Sequence, residues 1–242
     1  MNVRILSLVG ATLIAGVIDS SAYAHRLEAP LTADRPAFDI HHADIVRKDT
    51  TLEFIMHFEG RPGTETPDSH GQLAGAPVWS YVWPTTIDTS VIGFDAGAGI
   101  LSFAVTSHPD FDDTPLFDED GDGDSENDGR RWHSHWVVLV PDDSCGQGGL
   151  KVRDIPEGAT PSLPKTWPGL PILIDSPGWH PRFTQDSLVV TVPFDAEADL
   201  KGINFDAVTA ALQVNASVHD PLLCVTDVFE AAGGLKMPGT IN

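Results

Sequence analysis

The sequence is poor in basic residues. It carries 14 Lys and Arg against 35 Asp and Glu among 242 residues, so its formal net charge is −21. A field of this sign repels phosphate, which argues against nucleic acid and anionic lipid as main partners. Metal cations are the partners that such a surface concentrates.

Cysteine is also scarce, because Cys145 and Cys224 are the only two. In an exported protein two cysteines most simply form one disulfide bond. A metal site that uses the thiolates is the alternative. We expect the disulfide.

Long apolar runs are missing after the first 24 residues, and no later segment reaches the roughly 18 apolar residues that a membrane-spanning helix needs. Residues 1–24 themselves have the pattern of a secretory signal. Arg4 is followed by an apolar stretch, and Ala22 and Ala24 are the small residues expected before a cleavage site. We therefore expect an exported protein, located in the periplasm or at the outer cell surface, with residues 25–242 as one domain.

Helix-compatible stretches are few. Seven prolines between residues 156 and 181 leave room only for short elements. Alternating or β-rich segments at 38–46, 52–58, 78–83, 100–106, 132–140, 187–194 and 205–218 predict strands. The predicted fold is all-β, a single-domain antiparallel sandwich or partly open barrel with long loops. Residues 195–200 are the best place for a short helix.

Common catalytic motifs are absent too: there is no Gly-x-Ser-x-Gly, no His-Glu-x-x-His and no phosphate-binding loop. A hydrolase with paired carboxylates is disfavoured, because the carboxylates cluster in one loop rather than across a cleft. These absences favour a binding protein over an enzyme.

Against this background the carboxylates of residues 110–129 stand out. The run from Asp118 to Gly123 places carboxylate oxygens at alternate positions and a glycine at the sixth, the spacing that curls a loop around a calcium ion. The twelfth position, a glutamate in an EF-hand, is Gly129, so Asp124, Glu126 or Asp128 must complete the shell. The predicted calcium ligands are Asp118, Asp120, Asp122, Asp124 and Glu126. A merely solvated acidic loop is the alternative.

A histidine pair follows this loop directly. In the segment 132–140 strand alternation places His133 and His135 on one face and Trp132, Ser134 and Trp136 on the other. Two imidazoles on one face of a rigid strand converge readily on one transition metal ion, such as copper, zinc, iron or nickel. Calcium in the preceding loop would brace this site.

The third ligand is expected from the hairpin 38–58. If Val46 pairs with Leu52, His41 lies opposite His57, and either can meet the histidine pair. We favour His57, with His219 as a further candidate. The sequence places His70, His108 and His180 in Gly, Pro and Asp-containing loops, where we expect them to be solvated.

A second arrangement starts at His25. After cleavage behind Ala24, its amine and imidazole can chelate copper together, as in lytic polysaccharide monooxygenases and some periplasmic copper carriers. This arrangement predicts a copper oxidase or monooxygenase. Its second histidine would be His133, His135 or His42.

The acidic loop and the Trp/His strand, residues 110–140, resemble the surface-associated copper-binding proteins of methane-oxidising bacteria, the MopE and CorA type (not the magnesium transporter called CorA). The resemblance implies an exported, acidic, largely β protein that is associated with the outer cell surface. It implies copper ligation by His133 and His135. It also implies oxidation of a nearby tryptophan to kynurenine, for which Trp132 is the candidate.

The leading interpretation is an exported protein that captures or stores copper and carries a structural calcium loop. The copper enzyme with a His25 brace is one alternative. A calcium-stabilised cell-surface interaction module, in which the histidine pair is incidental, is the other. Copper against zinc is left open by the sequence.

Overall fold

A computed structural model of the protein describes residues 26–31, 34–195, 198–215 and 222–241. These residues contain fourteen strands and two short 3₁₀ turns, Thr89–Val91 and Asp143–Cys145. The strands are β1 Leu27–Glu28, β2 Ile40–Lys48, β3 Thr51–Phe58, β4 Pro77–Pro84, β5 Ile100–Ser107, β6 His133–Pro141, β7 Leu150–Val152, β8 Ile174–Asp175, β9 Arg182–Phe183, β10 Ser187–Pro193, β11 Asn204–Phe205, β12 Val208–Val214, β13 Leu223–Ala231 and β14 Gly239–Thr240. Within the described ranges no helix has the length and apolar character to cross a membrane.

The strands form a sandwich that shares one wall with a barrel. One antiparallel sheet has the order β1-β2-β3-β10-β9, and β11 pairs with β14. The other sheet has the order β5-β4-β12-β13-β7-β6-β8, and because β5 also pairs with β6, six of its strands close into a barrel. The predicted all-β, antiparallel fold class is confirmed.

The wall between sandwich and barrel is buried on both faces. On the sandwich side Phe54 of β3 packs on Phe103, Trp136 and Trp83, with ring centroids 4.4, 5.5 and 5.6 Å away. The alternate residues of the same strands point into the barrel and form its aliphatic filling, Val78, Val82, Ala104, Val137, Leu139, Ala210 and Leu212. Two-sided burial explains why β4, β5 and β6 are nearly continuous apolar runs in the sequence.

The first hairpin differs from the predicted register by one residue. Val46 pairs with Glu53 rather than Leu52, because the turn consists of Asp49 and Thr50, and Asp49 takes a positive φ of 51°. This register sets His42, not His41, opposite His57, and a β-bulge between Ile40 and His42 then brings Ile40 opposite Phe58. A tight turn fixes the register of a hairpin, and Asp is among the few residues that tolerate this φ.

The late segments agree with the prediction where the structure describes them. The predicted strand at 205–218 is β11 and β12, ending at Val214, while residues 216–218 lie outside the described ranges. The helix expected at 195–200 is wrong for Asp195 and residues 198–200, which are not helical; Ala196 and Glu197 lie outside the described ranges.

The predicted disulfide joins Cys145 to Cys224 and ties down the weakest seam of the barrel. Strands β7 and β13 share a single paired position, Cys224 with Lys151. The disulfide links that position of β13 to the 3₁₀ turn that follows β6. A covalent bond thus holds the seam that few backbone hydrogen bonds close.

Replacing both cysteines by serine should destabilise the protein. The disulfide spans 79 residues, and in the chain-entropy model a loop of this order contributes about 4 kcal/mol to the free energy of unfolding. Guanidinium denaturation of the double variant and of the oxidised protein measures the difference. The unaltered protein, once reduced with dithiothreitol, should match the variant. If neither the variant nor the reduced protein unfolds at a lower guanidinium concentration than the oxidised protein, the disulfide does not have the assigned stabilising role.

Candidate metal centre

The antiparallel pairing of β5 with β6 assembles the site. Thr106 pairs with His133 and Ala104 pairs with His135, so the end of β5 lies beside the start of β6. The imidazoles of His133 and His135 have centroids 4.8 Å apart, whereas Trp136 is buried in the sandwich core. The alternation predicted for this strand therefore places both imidazoles at one end of the barrel.

His108 joins this pair, and the expectation that it is solvated is wrong. Only 1% of it is exposed. Its ring stacks on Phe111 at 4.0 Å, and its backbone N–H donates to the Gly129 carbonyl at 2.7 Å. A Cβ on Gly129 would lie 1.8 Å from the Phe111 oxygen, so only glycine lets the two ends of the loop close over His108. Pairing of the predicted strands 100–106 and 132–140 would have indicated this position of His108, because it brings residues 107–108 beside residues 131–133.

Asp113 completes the cluster. Its Oδ1 lies 3.1 Å from His108 Nε2, 3.0 Å from His133 Nε2 and 3.2 Å from His135 Nε2. The Nε2 atoms of His108 and His133 are 3.0 Å apart. All four side chains are buried, and their ligand atoms lie within 4.8 Å of one another.

The opposite nitrogen of each ring is already engaged. His133 Nδ1 lies 2.6 Å from the Arg131 carbonyl, and His108 Nδ1 lies 2.9 Å from the Phe111 carbonyl. His135 Nδ1 lies 3.0 Å from Ser176 Oγ, whose own hydroxyl donates to the Asp113 carbonyl. Because these oxygens accept hydrogen bonds, a neutral imidazole at any of the three positions carries its proton on Nδ1 and turns its Nε2 lone pair toward the centre.

The centre of the cluster therefore contains more hydrogen-bond acceptors than donors. Neither Asp113 Oδ1 nor His135 Nε2 has a hydrogen-bond partner, although both are buried. Burial opposes ionisation of Asp113, but the charge of His135 and His108 in their protonated form holds its pKa well below the ordinary range, so it is a carboxylate. Burial lowers the pKa of His135, which favours its neutral form. Orphaned buried groups of this kind are costly unless a cation binds them.

Most separations in the cluster are close to those of a tetrahedral metal site. Metal–nitrogen bonds of about 2.0–2.1 Å in a tetrahedron separate ligand atoms by about 3.3 Å. Asp113 Oδ1 lies 3.0–3.2 Å from the three Nε2 atoms, and the Nε2 atoms of His108 and His133 lie 3.0 Å apart. The separations of His135 Nε2 from the other two nitrogens are within 4.8 Å.

The structure does not bring His57 to this cluster, so the expected third ligand is replaced by His108. On β3 the even-numbered side chains face the sandwich core and the odd-numbered ones, including His57, face the other way. The ring of His57 stacks on His42 at 4.1 Å. Burial, followed by the charges of His57, Arg26 and His41, lowers the pKa of His42 to about 3.

Other predicted histidines lie apart from the cluster. His70 is exposed and lies 3.2 Å from the side-chain amide of Gln72, and His180 lies at the edge of a surface cleft. His25 and His219 fall outside the described residues. The brace expected for His25 therefore stays a prediction.

Trp132 packs on the sandwich side rather than among the metal-site histidines. Its ring lies 4.8 Å from Tyr81 and 6.0 Å from Phe183, and Nε1 donates to the Gly63 carbonyl at 3.1 Å. The same ring lines a surface cleft with Glu119 and Asp128. Its oxidation to kynurenine stays a prediction.

The acidic loop forms a second group of oxygen atoms. Asp118, Asp120 and Asp128 offer carboxylate oxygens within 4.8 Å of one another. Of the other predicted ligands, Asp122 and Asp124 accept backbone N–H groups two residues ahead, at 2.8 and 3.0 Å. Neither these two nor Glu126 belongs to the group that the structure brings together.

Asp128 belongs to this group, although the sequence indicated it only as an alternative to Asp124 or Glu126 for completing the calcium shell. It is 1% exposed, and its Oδ1 has no hydrogen-bond partner, while Oδ2 accepts from the Glu119 N–H at 2.8 Å. Both carboxylate oxygens of Glu119 are likewise buried without a partner. Burial raises the pKa of Glu119.

The chain matches no protein-family model, no curated protein and no solved structure. The resemblance to the methanotroph copper-binding proteins therefore stays a prediction. Fold and site together define an all-β protein with a buried cluster of three histidines and one aspartate that can hold a metal ion.

Ser176→Ala should weaken metal binding without removing a ligand. The substitution deletes the hydrogen bond that orients His135, and loss of such an outer partner typically costs 10–100-fold in metal affinity. Competition titration with a chromophoric chelator measures the change. Ser144→Ala, on an exposed turn, is the matched control, and equal affinities for the two variants would contradict the role of Ser176.

Proposed function

We propose that the protein binds copper at the cluster of His108, Asp113, His133 and His135 and acts as an exported copper-binding protein. The observation that carries this proposal is the convergence of three imidazole Nε2 atoms on one carboxylate oxygen at 3.0–3.2 Å, with Asp113 Oδ1 and His135 Nε2 both unpartnered. Side chains in such a geometry repel one another until a cation neutralises them.

The donor set supports copper. Imidazole nitrogen is a good ligand for copper and zinc, and a given nitrogen–oxygen site binds Cu²⁺ more tightly than Zn²⁺ in the Irving–Williams order. Neither cysteine competes for the metal, because both are in the disulfide. The elemental analysis described below distinguishes copper from zinc in the cluster.

Two features support export. The first 24 residues have the pattern of a secretory signal. The disulfide between Cys145 and Cys224 is of the kind that persists in oxidising compartments. Periplasm and outer cell surface both satisfy these conditions.

The closed shell favours capture or storage over catalysis. Four side chains fill a tetrahedral shell, whereas catalytic sites typically keep one position open. The ligands are 1–5% exposed, so bulk water does not surround the centre. Burial of this kind slows exchange of the ion, which suits retention.

We also propose that Asp118, Asp120 and Asp128 hold a structural calcium ion. Calcium takes oxygen ligands, and the buried, unpartnered Oδ1 of Asp128 points to a missing cation. The backbone carries the effect onward, because the Arg131 N–H donates to the Asp128 carbonyl and the Arg131 carbonyl accepts from His133 Nδ1. Calcium thus braces the neighbouring histidine.

Elemental analysis of protein purified after copper loading tests the main proposal. We expect about one copper per chain, and loss of most of it in the His133→Ala/His135→Ala double variant. The His70→Ala variant, which changes an exposed loop histidine, should keep its copper. Zinc in place of copper, or copper unchanged in the double variant, would overturn the assignment.

One added residue before His25 tests the alternative enzyme. Copper content should not change, because the proposed ligands are all internal. Loss of copper in that variant would instead support the His25 brace, and calcium as the only metal found would support the surface module.

Asp128→Asn should weaken calcium binding at least tenfold, because it removes a buried charged ligand. Isothermal titration with calcium measures the affinity. Asp124→Asn is the matched control, since Asp124 is exposed and lies outside the group. Similar calcium affinities for both variants would show that the loop binds calcium diffusely or not at all.

A further inference from the structure

The barrel encloses an apolar chamber that ends at the metal cluster. Its volume is about 80 Å³. Aliphatic side chains make up most of the wall, among them Val82, Ala104, Val137 and Ala210, and His108, Asp113 and His135 close one part of it. The chamber and the proposed metal centre therefore share a boundary.

Water has little reason to occupy the aliphatic part of this chamber. The Ser80 hydroxyl in that part is already satisfied, because Oγ donates to the Ala210 carbonyl at 3.0 Å. The unpartnered polar atoms, Asp113 Oδ1 and His135 Nε2, lie at the cluster end. Apolar cavities without free polar groups stay dry, and an aliphatic cavity of about 150 Å³ takes up benzene or xenon. A chamber of roughly half that volume suits molecules of two or three heavy atoms.

The chamber meets solvent at a hydrophobic mouth. Val228 and Leu235 line it and are nevertheless 43% and 54% exposed. Leu235 has a positive φ of 63°, a conformation uncommon for residues other than glycine. The Asp206 carboxylate holds this turn by accepting the Gly233 and Met237 N–H groups. Two fixed apolar side chains at an opening favour entry of uncharged molecules and disfavour ions.

We propose that this chamber binds small, uncharged, apolar molecules of the size of dioxygen and brings them to the bound metal. The inference rests on the proposed function only for the metal contact. The binding of an apolar gas in the chamber stands on the cavity alone. Of the four ligands, the Asp113 carboxylate is the one least suited to Cu(I), because carboxylate is a hard ligand and Cu(I) a soft ion. Asp113 also lines the chamber, so a diatomic molecule there would approach a Cu(I) ion on the side of its weakest ligand.

Xenon tests the chamber independently of the metal. Crystals of metal-free protein under xenon pressure should show one xenon atom between Ala210, Val82 and Val137. Ala210→Leu should abolish it by filling the space, and Ala96→Leu, at an exposed loop position, should not. Ordered water between Ala210, Val82 and Val137, or no xenon in the unaltered protein, would overturn the proposal.

Carbon monoxide tests the contact with the metal. The Cu(I)-loaded protein should show one carbonyl stretching band in the infrared, and its association rate should fall at least tenfold in Ala210→Leu but not in Ala96→Leu. Copper retained without any carbonyl band, or with a rate indifferent to Ala210→Leu, would overturn the metal contact. If the chamber binds xenon but the protein takes up no copper, the proposed function is overturned and the inference about the chamber stands.

Discussion

The pairing of β5 with β6 is the constraint on which the rest of the molecule depends. It closes the barrel, since without it the larger sheet would have two free edges. It also brings both ends of the long acidic loop together, which sets His108 beside His133. One backbone ladder therefore creates the chamber, the metal cluster and the anchor points of the carboxylate loop.

The cluster illustrates how burial and charge act against each other. Asp113 is removed from water, which alone would favour its neutral form, yet the surrounding imidazoles keep it ionised. The His133 imidazole experiences the reverse, since burial lowers its pKa but the Asp113 carboxylate outweighs this effect and raises it. Protons on the histidines are the only positive charges that the chain itself supplies inside the cluster. A metal ion replaces them with a charge at the point where the lone pairs meet.

Local sequence pattern was enough for much of the fold and for half of the cluster. Period-two alternation located most strands and placed His133 and His135 on one face, and two cysteines in a chain expected to be exported indicated one disulfide. The two cluster residues that were missed lie where the local sequence pattern carries no information. His108 follows a strand in a Pro/Asp-containing loop, and Asp113 looks like any carboxylate of an acidic run, until strand pairing and the close approach at Gly129 bury both. The structure does not bring His57 to the cluster, because alternation gives the face of a strand but not which sheet it joins.

Because the barrel strands are far apart in the sequence, the residues of the cluster are synthesised before the last strands of the barrel. The four residues of the cluster all lie within residues 108–135 and meet through one hairpin-like pairing. The barrel wall is completed only by β12 and β13, and β12 pairs with β4 across 130 residues, as the contact of Ser80 with Ala210 shows. Contacts between residues so far apart in the sequence form late and slowly during folding. In a chain emerging from its amino end, the segment that carries the candidate metal site is therefore present before the strands that enclose the chamber are complete.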